Sequence, residues 1–173
     1  AIEPAHPYWF EEPIDGGDIR ALPQIRKDQK LRVATGEIHC GLSNFRAILA
    51  AGAADILNAD IAAIGGILDL LDIAELAYQQ GVQISPDCWN SMTVAAAAML
   101  HVCASIPNAE MAEVYLEYIQ HGEKFAFTAF LLEGEYAHLS NKPGIGVDLN
   151  VSALHDFCEH HQSTCLSLAE ATC

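Results

Sequence analysis

Carboxylates recur along the first two-thirds of this chain at a nearly constant pitch. Glu11, Glu37, Asp60, Asp87 and Glu113 are separated by 26, 23, 27 and 26 residues. Each follows a short apolar run, as in Tyr8-Trp9-Phe10-Glu11 or Arg32-Val33-Ala34-Thr35-Gly36-Glu37. Such a pitch is the length of one strand, one helix and two short loops. It restricts the chain to repeated βα units and a parallel sheet with right-handed crossovers. Acids at the same point of every unit converge on the carboxyl ends of the strands, where βα proteins place their chemistry.

The flanking pattern agrees. Strands are expected over Trp9 to Ile14, Leu31 to Thr35, Asp55 to Asp60 and Val82 to Ser85, with a fifth over Glu110 to Val114. A short amphipathic helix is expected between Asp18 and Ile25. Ser43 or Asn44 is expected to cap a helix over Phe45 to Ala51 that Gly52 ends. In Ile67 to Gln80 the apolar residues Ile67, Leu70, Leu71, Ala74 and Ala77 oppose Asp69, Asp72, Glu75 and Gln79, the pattern of a helix lying on a sheet. Asn90 or Ser91 is expected to cap an Ala-rich helix running through His101. After Tyr115 the rhythm stops. Phe125 to Leu132 and Glu135 to Leu139 read as β structure, Lys142-Pro143-Gly144 as a turn, and Val151 to Leu168 as a closing helix with Leu154, Phe157 and Cys158 on one side. The expected division is therefore 1–114 for the βα units and 115–173 for a C-terminal segment.

With 173 residues, 51% of them hydrophobic, the chain can bury one sizeable core. It is short for a closed (β/α)8 barrel, which takes about 250 residues. Eight Lys and Arg against 23 Asp and Glu give a formal charge of −15, which disfavours nucleic acid and anionic membrane as partners. A carboxylate-rich site also repels an anionic substrate unless a cation bridges them, a first pointer to a metal. Six cysteines with no CxxC pair read as reduced packing thiols of a cytoplasmic protein. No basic segment followed by an apolar stretch marks a signal peptide. The apolar region Ile48 to Leu68 is interrupted by Asp55, Asn58 and Asp60, so it does not read as a membrane span. The start at Ala1, directly before a strand and without Met, reads as a piece of something longer or a processed product.

Trp9-Phe10-Glu11-Glu12-Pro13, Thr35-Gly36-Glu37, and Asn58-Ala59-Asp60 with Gly65-Gly66-Ile67 together resemble the enolase superfamily, specifically the C-terminal barrel of its mandelate racemase/muconate lactonizing branch. Ser85-Pro86-Asp87-Cys88-Trp89 resembles the Ser-Pro-His-x-Trp stretch of acid-sugar dehydratases and sugar-acid cycloisomerases. Ile106-Pro107-Asn108 before Glu113 and Lys142-Pro143-Gly144-Ile145-Gly146-Val147 extend the likeness to about residues 8–150. The resemblance implies a partial TIM-like barrel, about strands four to eight. It also implies a tail that packs on a capping domain, and a capping domain, lysine motif and third (Asp) metal ligand upstream of Ala1.

The implied reaction is abstraction of a proton α to a carboxylate, with the enolate stabilised by Mg²⁺ and a Lys or His base. The substrate class is a small carboxylate, a sugar acid. Mg²⁺ takes hard oxygen ligands, and by resemblance Glu11 and Glu37 are two of its three ligands. From the residues alone both also read as solvated acids at loop mouths. Glu12 is a weaker ligand candidate, since the residue after Glu11 on a strand points to the opposite face. Asp60 matches the acid that orients a His base, or is a buried loop cap. Glu113 matches an acid that hydrogen-bonds the substrate carboxylate, which requires its protonated form, or is solvent-exposed. Asp87 departs from the pattern, because the branch has His there. An imidazole titrates near neutrality, whereas Asp is too weak a base unless burial or a like charge raises its pKa. His39 is either a helper in proton transfer or a surface residue, and with Cys40 it gives only weak evidence for zinc. Trp89 lines a sugar pocket or packs in the core. His160-His161 carry no specific expectation, and Gly144-x-Gly146 is no nucleotide loop. An open half-barrel exposes two sheet edges, so a homo-oligomer or pairing with an N-terminal half is expected. A non-catalytic half-barrel serving as a structural or interaction module is the other class, and a generic α/β binding domain a third.

Overall fold

A computed structural model describes residues 2–15, 18–89, 91–127 and 130–160. After one 3₁₀ turn (Glu3–Ala5), the chain forms β1 (Trp9–Glu11), α1 (Leu22–Asp28), β2 (Arg32–Thr35), α2 (Leu42–Ala51), β3 (Ile56–Leu57), α3 (Ile61–Ile64), α4 (Ile67–Gln79), β4 (Gln83–Ile84) and α5 (Thr93–Ser105). The tail adds α6 (Leu116–Gly122), β5 (Ala126–Phe127), β6 (Phe130–Glu133), β7 (Tyr136–Leu139), β8 (Asp148–Leu149) and α7 (Val151–His160).

β1 to β4 pair in chain order, all parallel, with Phe10 opposite Val33, Thr35 opposite Leu57 and Leu57 opposite Ile84. This is the α/β half-barrel the repeat calls for. Parallel strands covered by helices are buried without alternation, and Val33, Ala34, Ile56, Leu57 and Ile84 are all inaccessible to solvent. The core beneath the helices is built on Phe45, Ile48, Leu70, Ile73 and Met99. α5 is apolar nearly all round because it is buried between neighbours: Ala96, Ala97, Met99, Leu100 and Val102 are all buried.

The expected fifth strand is reduced to an isolated parallel bridge between Ile84 and Ala109, upstream of Glu110 to Val114. Ile84 N–H donates to Asn108 O and Glu110 N–H to Ile84 O, each at 2.8 Å. Buried Asn108 holds this segment down by donating to Ala74 O and Val82 O. The curl of the sheet brings the start of β2 against the same segment. There Arg32 forks onto Glu110 at 2.9 and 3.2 Å, Tyr8 Oη also donates to Glu110, and the Arg32 guanidinium lies 4.3 Å over the Tyr8 ring.

Three helix starts differ from expectation. α2 begins after Gly41 with no side-chain cap, and α5 begins after Met92 likewise, so neither Ser43, Asn44 nor Ser91 caps; Asn90 lies outside the described residues. α1 starts at Leu22, because Asp18 instead closes a turn by binding Arg20 through both carboxylate oxygens at 2.7 and 2.8 Å. In the tail, β6 and β7 form a hairpin with two residues, Gly134-Glu135, between paired Glu133 and Tyr136. Gly134 at φ +60° suits the first position of such a turn. β5 pairs antiparallel with β8. α7 is described as far as His160, and the remainder of the expected closing helix, 161–168, lies outside the described residues; Phe157 meets Phe125 edge-on at 5.2 Å. Cys40, Cys88 and Cys103 are free thiols. Cys158 is disulfide-bonded, so the expectation of six reduced cysteines fails there. No helix among the described residues is long and apolar enough to cross a membrane.

Candidate active site

Each periodic acid sits at or just beyond the carboxyl end of its strand. Glu11 is the last residue of β1, Glu37 follows β2, Asp60 follows β3, Asp87 follows β4 and Glu113 follows the bridge at Ala109. Glu113 is tied back to the β4 loop by its N–H, which donates to Pro86 O at 3.0 Å. The carboxyls feel one another. Burial first, and then the negative charges of Asp87, Glu11, Glu12 and Asp60, push Glu37 above the ordinary carboxyl range. Asp87 is raised by burial and then by Asp60, against the pull of the Cys88 and Trp89 amides. Glu113 is pushed up to about 7 by burial, Glu11 and Asp87, while hydrogen bonds from Asn58 and Ser85 pull it down.

Glu12 joins this group, contrary to strict strand alternation. Its backbone leaves the β region, at φ +38°. Its Oε1 accepts from Thr35 Oγ1 and from Gly36 N–H, both at 2.8 Å, while Oε2 is buried without a partner among the described residues. The turn it grips is tight. At Gly36, φ is +136° and a Cβ would lie 3.1 Å from the Phe45 ring and 3.3 Å from Asn58 N, so only glycine fits in front of Glu37. Glu11 has one oxygen, Oε2, engaged by Trp9 Nε1 at 3.0 Å.

Asp60 has the loop-capping role: its Oδ1 accepts from Ala62 N–H at 2.7 Å and Ala63 N–H at 3.3 Å, capping α3. Asp87 is buried; its Oδ1 takes the Cys88 amide at 2.8 Å and its Oδ2 has no hydrogen-bond partner among the described residues. Glu113 Oε1 accepts from Asn58 Nδ2 and from Ser85 Oγ. Asn58 and Ser85, fully buried at the ends of β3 and β4, are the partners that the sequence reading left without a role. Cys88 donates its thiol to Glu113 O, and burial pushes that thiol up to about 11, so it stays protonated.

His39 lies in the turn after Glu37, its N–H donating to Gly36 O; its Nε2 is buried and finds no partner among the described residues. Trp89 is 59% exposed, which removes the core-packing alternative and leaves it at the mouth of the β4 loop.

The donor set suits a hard divalent cation. It consists of carboxylate oxygens, two of them (Asp87 Oδ2 and Glu12 Oε2) buried without hydrogen-bond partners among the described residues, in a patch where burial and neighbouring charges raise the pKa values of Glu37 and Asp87. Among the described residues, the group whose ligand atoms all lie within 4.8 Å is elsewhere, His155, Asp156 and Glu159 on exposed α7.

The sequence profile of the enolase C-terminal domain-like family matches residues 1–153. A D-galactarolactone cycloisomerase of Agrobacterium fabrum is 31% identical in an alignment of 156 positions that covers 86% of this chain and 41% of that protein. A D-galactonate dehydratase of Ralstonia nicotianae is likewise 31% identical, over 87% of this chain and 41% of its own length. The crystal structure of an enolase from the environmental genome shotgun sequencing of the Sargasso Sea superposes with a TM-score of 0.85 at 42% identity, covering 90% of this chain and 41% of that one. The chain thus spans about two-fifths of the relatives it matches.

Proposed function

Because the chain belongs to the enolase C-terminal domain-like family, we propose that it is the C-terminal part of a Mg²⁺-dependent enzyme acting on a sugar acid by α-proton abstraction, of the dehydratase or cycloisomerase type. On this reading 1–114 carry the barrel units and 115–173 a segment that packs on a capping domain. The observation that carries it is the convergence of Glu11, Glu37, Asp60, Asp87 and Glu113 on the carboxyl ends of one parallel sheet, where burial and the neighbouring negative charges raise the pKa values of Glu37, Asp87 and Glu113. Similarity to D-galactonate dehydratases and a D-galactarolactone cycloisomerase supports the substrate class.

Glu11 and Glu37 would hold the cation, which supplies charge stabilisation for an enolate. The remaining residues bind and move protons. Glu113, held near neutrality, keeps a proton to donate to a ligand carboxylate. His39 and Trp89 flank the mouth as pocket residues. Asp87 is where the chemistry is impaired. It stands where related dehydratases and cycloisomerases are expected to carry His, and the neighbouring Asp60 is committed to the amides of α3. Burial and Asp60 raise the Asp87 carboxyl and make it a stronger base than an ordinary aspartate, but it does not supply the imidazole that titrates near neutrality in the His–Asp pair. The same observation supports the second reading, a half-barrel retained as a structural or interaction module.

Calorimetric titration of the chain with Mg²⁺ tests the metal. Binding is expected in the wild type, and at least tenfold weaker binding after Glu37→Gln. No heat at millimolar Mg²⁺ even with the upstream half supplied removes the metalloenzyme reading from this chain.

A further inference from the structure

Glu113 is held by two donors from two different strand ends, and both reach the same oxygen. Asn58 Nδ2 and Ser85 Oγ donate to Oε1, and no described residue donates to Oε2. The Asn58 amide cannot be turned round. Its Nδ2 also donates to the Ser85 carbonyl at 3.1 Å, and that oxygen is an acceptor only. A carboxyl oxygen that already accepts two hydrogen bonds is the one that holds charge. The proton of the neutral form therefore belongs on the other oxygen.

We infer that Asn58 and Ser85 are positioning residues that set the polarity of Glu113: they pin Oε1 as acceptor and leave Oε2 as the atom from which the carboxyl donates to an anionic ligand. The part played toward a ligand rests on the sugar-acid reading above, whereas the clamp itself does not. The groups that face Glu113 are Glu11 from β1, Asp87 and the neutral Cys88 thiol from the β4 loop, and these two donors. The two acids raise its proton affinity together with burial, and the clamp lowers it, so the clamp is what holds the group at about 7.

The test follows the side-chain carboxyl of Glu113 by ¹³C NMR against pH in the full chain without added metal, its signal identified by loss in Glu113→Gln. The wild type is expected to titrate near 7. Asn58→Ala and Ser85→Ala each remove a hydrogen bond to the charged form, and the midpoint is expected to rise by about one pH unit, tenfold in proton affinity, for the stronger donor Asn58. Ser85→Thr keeps the hydroxyl and is expected to keep the wild-type midpoint. A structural role alone leaves the midpoint where it is, so unchanged or lower midpoints in folded alanine variants overturn the clamp. Ser85→Ala decides the matter by itself if Asn58→Ala fails to fold. D-galactonate affinity measured across the same pH range is expected to be tightest in acid and to fade at each variant's own Glu113 midpoint. Affinity that ignores those midpoints, or no binding at any pH, overturns the ligand role of Glu113, and the NMR midpoints still decide the clamp.

Discussion

At Glu12 a single residue runs against the strand pattern around it. Left-handed backbone at a residue with a side chain costs of order 1 kcal/mol or more and persists where neighbours hold it. Here Thr35 Oγ1 and Gly36 N–H hold it through Oε1, and its own N–H is held by Ala34 O at 3.0 Å. The kink is how two consecutive acids come to share one site. Period-two alternation places Glu11 and Glu12 on opposite faces, so nothing in the sequence pattern exposes the exception. Glu12→Ala would leave two part-buried donors without an acceptor, and a loss of about 1–3 kcal/mol is expected in urea unfolding. Glu12→Gln keeps an acceptor oxygen and is expected to lose less than half of that. Equal stability of Glu12→Ala and the wild type would show that the turn before Glu37 does not depend on this grip. Asp60 makes the complementary point. Its sequence neighbourhood fits an orienting acid and a loop cap equally, and only the positions of the Ala62 and Ala63 amides identify the cap.

Among the elements, those set by periodicity were legible and those set by tertiary contact were not. α4 follows its apolar stripe, burying Leu70, Ala74 and Ala77, and Gly81, at φ +70°, stands just past its end. The strand before Gly36 falls where its Val-Ala-Thr run lies. The fifth strand failed because pairing goes to Asn108 and Ala109, held by the buried Asn108 side chain, while the stretch expected to form it curls away toward the site. α3 is only four residues long and has no period to read; its side-chain cap creates it. Cap residues were misassigned because Ser43 and Asn44 lie inside α2, which starts instead from Gly41 at φ +73°. α6 shows what packing alone demands. A Cβ on its buried Gly122 would lie 2.8 Å from Met92 Cβ and 2.9 Å from Thr93 N, at the start of α5. One of those atoms is backbone and cannot swing away. Gly122→Ala is therefore expected to destabilise by about 1–3 kcal/mol despite alanine's better helix propensity, read as a lower thermal midpoint. A rise in the midpoint would mean that α6 is free to shift on α5.

For the molecule as a whole, the crowding of acids at one end of the sheet inverts the usual pH dependence of a carboxylate-rich protein. Glu113, Glu37 and Asp87 all have raised pKa values in the folded state, the first from 4.5 to about 7. A carboxyl raised on folding binds protons more tightly in the native chain. Its contribution is therefore fully present below the unfolded value and is lost as pH rises through the folded value. Glu110, lowered by Arg32 and Tyr8, acts in the opposite sense, and its contribution is lost as pH falls below the ordinary carboxyl range. The two trends place the maximum of stability near the unfolded carboxyl values, at about pH 5. The formal charge of −15 adds self-repulsion on the alkaline side. Between pH 5 and pH 8 a fall of about 2 kcal/mol from Glu113 is expected after allowance for solvent screening, with Glu37 and Asp87 adding to it. Urea midpoints across this range check the slope. Glu113→Gln, neutral at every pH, is expected to flatten it, and millimolar Mg²⁺ is expected to restore stability at pH 8 but not at pH 5, because a cation on Glu11 and Glu37 relieves repulsion only when the acids are ionised. Stability that climbs from pH 5 to pH 8 without metal would mean that the strand-end acids are too well solvated to sense one another, and the shared site would dissolve into separate surface carboxylates.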